Sequence, residues 1–166
     1  MKAVFLGAAA VVLLACCTPK PEQPTVDLYQ QLMTPDLPFD SAFAAQLGAD
    51  PYGMRSYVLA FLKKGPNRDQ DSLTAANLQK AHLANIGRMA KAGKLVVAGP
   101  FLDDGDVRGI YVFNVATVEE ARALTETDPA IQAGRLTMEL HPWYCSAILP
   151  LVGPLHQRLQ QKKVTE

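Results

Sequence analysis

The chain has 166 residues, 49% of them apolar, with 16 basic and 16 acidic side chains and no formal net charge. That balance excludes the large basic footprint that nucleic-acid binding requires. The 3 cysteines exclude a disulfide-dense scaffold and a Cys-rich zinc site, while the apolar content supports one compact domain with a real core.

At the N-terminus Lys2 precedes an apolar run, Ala3 to Leu14. The run has about 12 residues, too short for a bilayer core needing roughly 20, and fits the hydrophobic region of a signal peptide. Leu13-Leu14-Ala15-Cys16 resembles the lipobox of bacterial lipoproteins. The resemblance implies that residues 1–15 are a signal peptide and that Cys16 becomes the lipidated N-terminus. Cys16 is chosen over Cys17 because a small residue, Ala15, must precede the modified cysteine. The expected location is the bacterial cell envelope. The outer membrane facing the periplasm is favoured over the inner membrane, because Cys17 gives no retention signal.

Thr18 to Pro38 contains Pro19, Pro21, Pro24, Pro35 and Pro38, which break helix and strand alike. The expectation for residues 16–53 is therefore a lipidated tether with one short helix. That helix spans Phe39 to Leu47, capped by Asp40 or Ser41, with Phe43, Ala44 and Leu47 on one face. Gly48, Pro51 and Gly53 end it.

From Met54 the chain becomes rich in strand formers. Tyr57 to Leu62 reads as a first strand, and Lys63-Lys64-Gly65-Pro66 stops it. After a polar loop, Ser72 is placed to cap a long helix from Leu73 to Ala92, with Gly93 just past its end and Arg88 and Lys91 in its last turn. Leu95 to Phe101 is a second strand. Asp103-Asp104-Gly105-Asp106 turns it into a third at Gly109–Asn114. Thr117-Val118-Glu119-Glu120 is a capping box opening a helix to Thr127. Asp128-Pro129 begins a further short turn closed by Gly134, and Leu136 to Trp143 is the last strand.

The order β-α-β-β-α-β is that of a ferredoxin-like α+β fold with an antiparallel sheet. Its fourth strand should be an edge. Leu136, Met138 and Leu140 alternate there with Thr137, Glu139 and His141, as a half-solvated strand requires. The first three strands are apolar on both faces, yet two helices can cover only one. A second copy of the sheet in a C2 dimer is the simplest cover. A ligand or the N-terminal helix is the alternative.

Two polar residues could carry chemistry. His82 lies mid-helix beside Leu78, Asn85, Ile86 and Met89, on a mostly apolar flank. It is either a packed histidine with one hydrogen bond or a proton carrier near neutral pH. Asp128 before Pro129 is an N-cap by position, and a carboxylate there could also orient an imidazole.

The motifs follow in a fixed order: Ala81-His82-Leu83-Ala84, Gly93 to Phe101, Glu119 to Leu124, Thr127-Asp128-Pro129 to Gly134, and His141-Pro142-Trp143. This succession resembles the YCII-related (YciI-like) family over residues 54–143. The resemblance implies a ferredoxin-like domain that pairs as a dimeric α+β barrel, with a His82–Asp128 dyad as its active site. The signal, the tether and an extension over residues 144–166 depart from the short cytosolic members and put a cytosolic metabolic role in doubt.

Other constellations are weaker. His82, Asp128 and His141 lack paired metal-ligand spacing. Asp103, Asp104 and Asp106 lack the distal glutamate of a calcium loop, and Gly105 and Gly109 are too isolated for a phosphate loop. Arg55, Lys63 and Arg68 read as solvated charges rather than an anion site. Cys145 has no visible activating partner. It could pair with Cys17, although one lies in the tether and the other beyond the core. No metal or cofactor is expected. Two functions remain: an envelope-anchored enzyme of isomerase or lyase type acting on a small organic molecule, and a non-catalytic lipoprotein that binds a small ligand or plays a structural role.

Overall fold

A computed structural model of the chain describes residues 27–34 and 37–162. The signal segment, Cys16 and Cys17 lie outside the described residues. The chain divides into two units, residues 1–39 and 40–166. In the first, one short helix forms that the proline-rich sequence did not suggest. Asp27 caps a five-residue helix, α1 (Leu28–Leu32), through Gln30 N–H. The stretch between Pro24 and Pro35 has no proline, and one capped turn forms there.

The second unit begins with α2 (Ser41–Leu47), capped by Asp40 as expected, which buries none of its residues. There follow β1 (Met54–Lys64), α3 (Ser72–Lys91), β2 (Leu95–Pro100), β3 (Val107–Phe113), α4 (Val118–Thr125), α5 (Pro129–Gln132) and β4 (Leu136–Ser146). A 3-10 turn (Leu149–Leu151) and α6 (Val152–His156) close the described chain. The sheet order is β2-β3-β1-β4, antiparallel throughout. This is a ferredoxin-like α+β fold, with β1 and β3 central and β4 at an edge.

Local chemistry explains the boundaries. Asp71, not Ser72, caps α3. Its carboxylate accepts from Thr74 N–H at 2.9 Å and from the Thr74 hydroxyl at 2.7 Å. A carboxylate here also meets the positive end of the helix dipole, which a serine hydroxyl cannot do as well. At the other end Gly93 has φ 68°, with Gly93 N–H bonded to Ala90 O and Lys94 N–H to Met89 O. That paired closure needs a left-handed residue, and glycine adopts it without a Cβ penalty. The Thr117–Glu120 capping box of α4 forms as read.

The sheet's helix-covered face carries Val58, Ala60, Leu62, Leu95, Tyr111 and Phe113, packed with Met89 and Ala121. On β4, Leu136, Met138 and Leu140 join this core while Thr137, Glu139 and His141 are exposed. Among the described residues, the other face carries its buried cluster toward one end. Tyr57, Val96 and Val112 pack there with Trp143, Cys145 and Leu149. The last strand therefore continues three residues past Trp143, and the C-terminal extension supplies part of the cover. Cys145 is half-buried and has no disulfide partner among the described residues.

The polar loop after β1 is tied down rather than loose. Gly65 N–H donates to Arg135 O and Asn67 N–H to Gly134 O, both at 3.0 Å. A Cβ on Gly65 would sit 2.1 Å from Gly134 O, so glycine is what lets the two segments approach. This contact holds the α5–β4 connection against the end of β1, and α5 is capped by Asp128.

Candidate active site

His82, Asn85 and Met89, at helical spacings of four and three, form the buried stripe of α3. His82 is 7% exposed and Asp128 is fully enclosed. The two meet, with His82 Nδ1 2.7 Å from Asp128 Oδ2. Asp128 also caps α5, its Oδ1 accepting from Ala130 N–H at 2.9 Å. One oxygen thus serves the helix cap while the other meets the imidazole.

On the far side of the ring the Tyr111 hydroxyl lies 3.3 Å from His82 Nε2. The two rings are near parallel at 17°, with centroids 6.2 Å apart. Tyr111 is 2% exposed. Burial, and then the Asp128 carboxylate, push its hydroxyl far above the ordinary value of 10.0. It stays protonated and can donate. A carboxylate accepts only, so the Nδ1–H tautomer matches Asp128 and leaves Nε2 to accept from the Tyr111 hydroxyl. The three residues form a directional chain, O–H to ring to carboxylate, that can hold or pass a proton.

A second polar group sits one turn along α3. Arg88 donates from Nε at 3.2 Å and from Nη2 at 2.7 Å to Asn85 Oδ1, and from Nη2 to Thr127 Oγ1 at 2.7 Å. Asn85 is 7% exposed, and its Nδ2 is buried without a partner among the described residues. Sequence reasoning passed over both Tyr111 and Asn85. Tyr111 stands in a run of apolar strand residues, where period two does not reveal its face. Asn85 was visible as a polar residue three positions after His82 on an apolar flank.

The remaining sequence candidates are dispersed. His141 is on the opposite sheet face, bonded to Glu139 at 2.9 Å and packed edge-on to Phe61. Lys63 pairs with Glu139, Arg55 donates to Leu47 O, and Arg68 donates to Arg135 O. These cations do not converge. A cavity of about 490 Å³ lies among Lys63, Lys64, Asp106, Thr137, Met138 and Glu139, and none of the Tyr111–His82–Asp128 residues lines it.

The fold and the buried His–Asp pair define a ferredoxin-like α+β domain with an internal acid–base chain. The chain belongs to the family of the YCII-related domain, which matches residues 58–143. No curated protein matches it. Among solved structures it is similar to 5-chloro-2-hydroxyhydroquinone dehydrochlorinase from Burkholderia phenoliruptrix AC1100, in complex with 2,5-dihydroxybenzoquinone. The identity is 24% and the TM-score 0.40, covering 52% of this chain and 92% of that one.

Tyr111 has a measurable consequence at alkaline pH. Its folded value is raised, so the folded state keeps a proton that the unfolded chain loses above about pH 10. That contribution to stability is complete below pH 10 and declines as pH rises beyond it. Tyr111→Phe should flatten the alkaline fall in the urea midpoint. Tyr57, whose value is also raised mainly by burial, supplies a remaining slope. An unchanged alkaline limb in Tyr111→Phe would contradict the assignment.

Proposed function

We propose that the chain is a small-molecule enzyme in which His82 exchanges a proton with its substrate and Asp128 fixes the ring. The 2.7 Å bond between Nδ1 and a fully enclosed carboxylate carries this reading. Such a bond sets the tautomer and leaves Nε2 as the working atom. The Tyr111 hydroxyl stands at Nε2, so substrate protons pass through it or displace it. The 3.3 Å separation is long for a hydrogen bond from a hydroxyl and makes displacement inexpensive. Isomerisation or elimination on a small organic molecule fits this equipment, and proton transfer of this kind requires no cofactor. A positioned acid–base group contributes about 100- to 10,000-fold.

One observation favours a second reading, a non-catalytic lipoprotein that binds a small ligand or plays a structural role. His82 and Tyr111 are both more than nine-tenths buried, and the cavity among Lys63, Thr137 and Glu139 is elsewhere. Deuterium exchange separates the two. In heavy water the wild type should accelerate exchange at acidic C–H positions of small ketones and lactones, and His82→Gln should abolish the acceleration. Compounds that raise the melting temperature of both proteins equally, with no exchange by either, would establish the binding role instead.

We also propose that two copies pair through the open part of the sheet. Leu59, Phe61 and Ile110 are apolar, project from the face opposite the helices, and are only half-buried. Face-to-face pairing would complete an α+β barrel. Residues 40–166 should sediment as a dimer, and Phe61→Lys should shift the population to monomer. A stable wild-type monomer at micromolar concentration would refute the pairing.

The lipobox-like tetrad supports a further proposal, a lipid anchor on Cys16 holding the protein at the outer membrane, facing the periplasm. More than one acyl chain is required for stable attachment. The full chain expressed in a bacterial envelope should partition into detergent, and Cys16→Ser should leave it in the aqueous phase. Aqueous partitioning of the wild type would exclude the anchor.

A further inference from the structure

We propose that Arg88 is a positioning residue for the His82–Asp128 pair, acting through Asn85 and Thr127. The proposal rests on the reading of His82 and Asp128 as a working pair. It begins with two neighbouring residues, Thr127 and Asp128, whose side chains diverge. Asp128 turns inward to His82, and Thr127 turns toward the solvent side to meet Arg88. Two cross-links therefore join α3 to the α4–α5 connection. The inner one is the buried dyad. The outer one lies a turn or so further along the same helix and consists of Arg88, Asn85 and Thr127.

Each bond of the outer link has a fixed direction. The Thr127 hydroxyl donates to Leu124 O at 2.6 Å, which leaves its lone pairs to the Arg88 guanidinium at 2.7 Å. Arginine has donors only, so Asn85 must present Oδ1 to it. Flipping the amide would set NH2 against N–H. The amide is locked, and the consequence is visible on its other side: Asn85 Nδ2 is buried with no partner among the described residues. Leaving a buried donor unpaired is costly. The fold tolerates that cost while keeping the acceptor at Arg88.

Without Arg88, Thr127 keeps its bond to Leu124 O at 2.6 Å within its own segment and reaches α3 only through a longer contact of its hydroxyl with Asn85 Oδ1 at 3.3 Å. Asp128 would still cap α5, because Ala130 N–H, Ile131 N–H and Gln132 N–H all bond to it locally. Those bonds fix Asp128 within its own turn. They do not fix the distance of that turn from α3. The guanidinium braces that distance from outside the dyad, since its Nη2 bonds Asn85 Oδ1 and Thr127 Oγ1 at once, both at 2.7 Å. A site that must hold its geometry within about 0.5 Å depends on supports of this kind.

The test reads the dyad directly and needs no substrate. In the full chain, the His82 Nδ1 proton bonded to Asp128 should give a downfield imidazole resonance by proton NMR. Arg88→Ala and Thr127→Val should move it upfield and speed its exchange with water by about fivefold or more, the change expected from losing one net hydrogen bond. Thr127→Ser, which keeps the hydroxyl, should restore the wild-type signal. A merely structural role would lower the urea midpoint of the variants and leave the resonance in place, and that outcome overturns the proposal. Should Arg88→Ala fail to fold, the nearly isosteric Thr127→Val carries the test. A wild-type spectrum with no such resonance defeats the underlying dyad reading itself, whereas a resonance present and unmoved in the variants defeats this proposal alone.

Discussion

Asp128 is a carboxylate with no solvent exposure, and the surrounding structure is organised to make that tolerable. Taking such a group out of water costs several kcal/mol unless both oxygens are satisfied. One oxygen has Ala130 N–H and the other has His82 Nδ1. The first comes free with a helix start, because Pro129 pre-sets the first helical φ and the cap must accept from the next amide. The second requires a donor from a different element. It fixes where α3 must run, which face it turns inward, and where the α4–α5 connection must lie. Breaking a buried pair by removing one partner costs about 3–5 kcal/mol. Glutamine is therefore the more informative replacement at His82, since it can still offer Asp128 an N–H where alanine cannot.

The two faces of the sheet follow different logic. Helices α3 and α4 cover one face, and the core there is continuous. The opposite face is apolar along β1 and β3, but a single chain covers it unevenly. Leu149, reached through the three extra residues of β4, packs at the Tyr57 end beside Trp143 and Cys145. At the other end Phe61 packs edge-on to the exposed His141, which is held by Glu139. The C-terminal extension, which lies beyond the family match, takes up part of the surface on which a second copy would rest. Any pairing is thereby directed toward Leu59, Phe61 and Ile110.

Much of this was legible in the sequence, for identifiable reasons. Alternation marked β4 as an edge, Asp103 to Asp106 marked the hairpin, and Thr117 with Glu120 marked a helix start. Each is a local rule whose partners lie within a few residues. His82 and Asp128 were legible as candidates by type and position, but their separation was not, because they stand 46 positions apart in the chain. Tyr111 was hidden among Ile110, Val112 and Phe113, where every position is apolar and the inward face depends on register with β1. The cap of α3 went to Asp71 because two acceptable caps stand side by side, and only the backbone decides which one reaches Thr74. The helix in the tether was missed because proline density masked a stretch without proline.

The polarity of the Tyr111–His82–Asp128 chain has one further consequence. In the Nδ1–H tautomer all three hydrogen bonds point toward Asp128: the hydroxyl donates to Nε2, Nδ1–H donates to Oδ2, and Ala130 N–H donates to Oδ1. Replacing the carboxylate by an amide leaves the cap acceptor but presents NH2 to Nδ1. The ring must then accept at Nδ1 and carry its proton on Nε2. Nε2–H would face the Tyr111 oxygen, whose own proton must turn away from its present partner into a buried setting. A change of one atom at Asp128 thus reverses the tautomer while barely altering the shape of the site. Proton order in this site is set from the carboxylate end. Tyr111, raised far above its ordinary value and unable to ionise at neutral pH, reads that order but does not impose it.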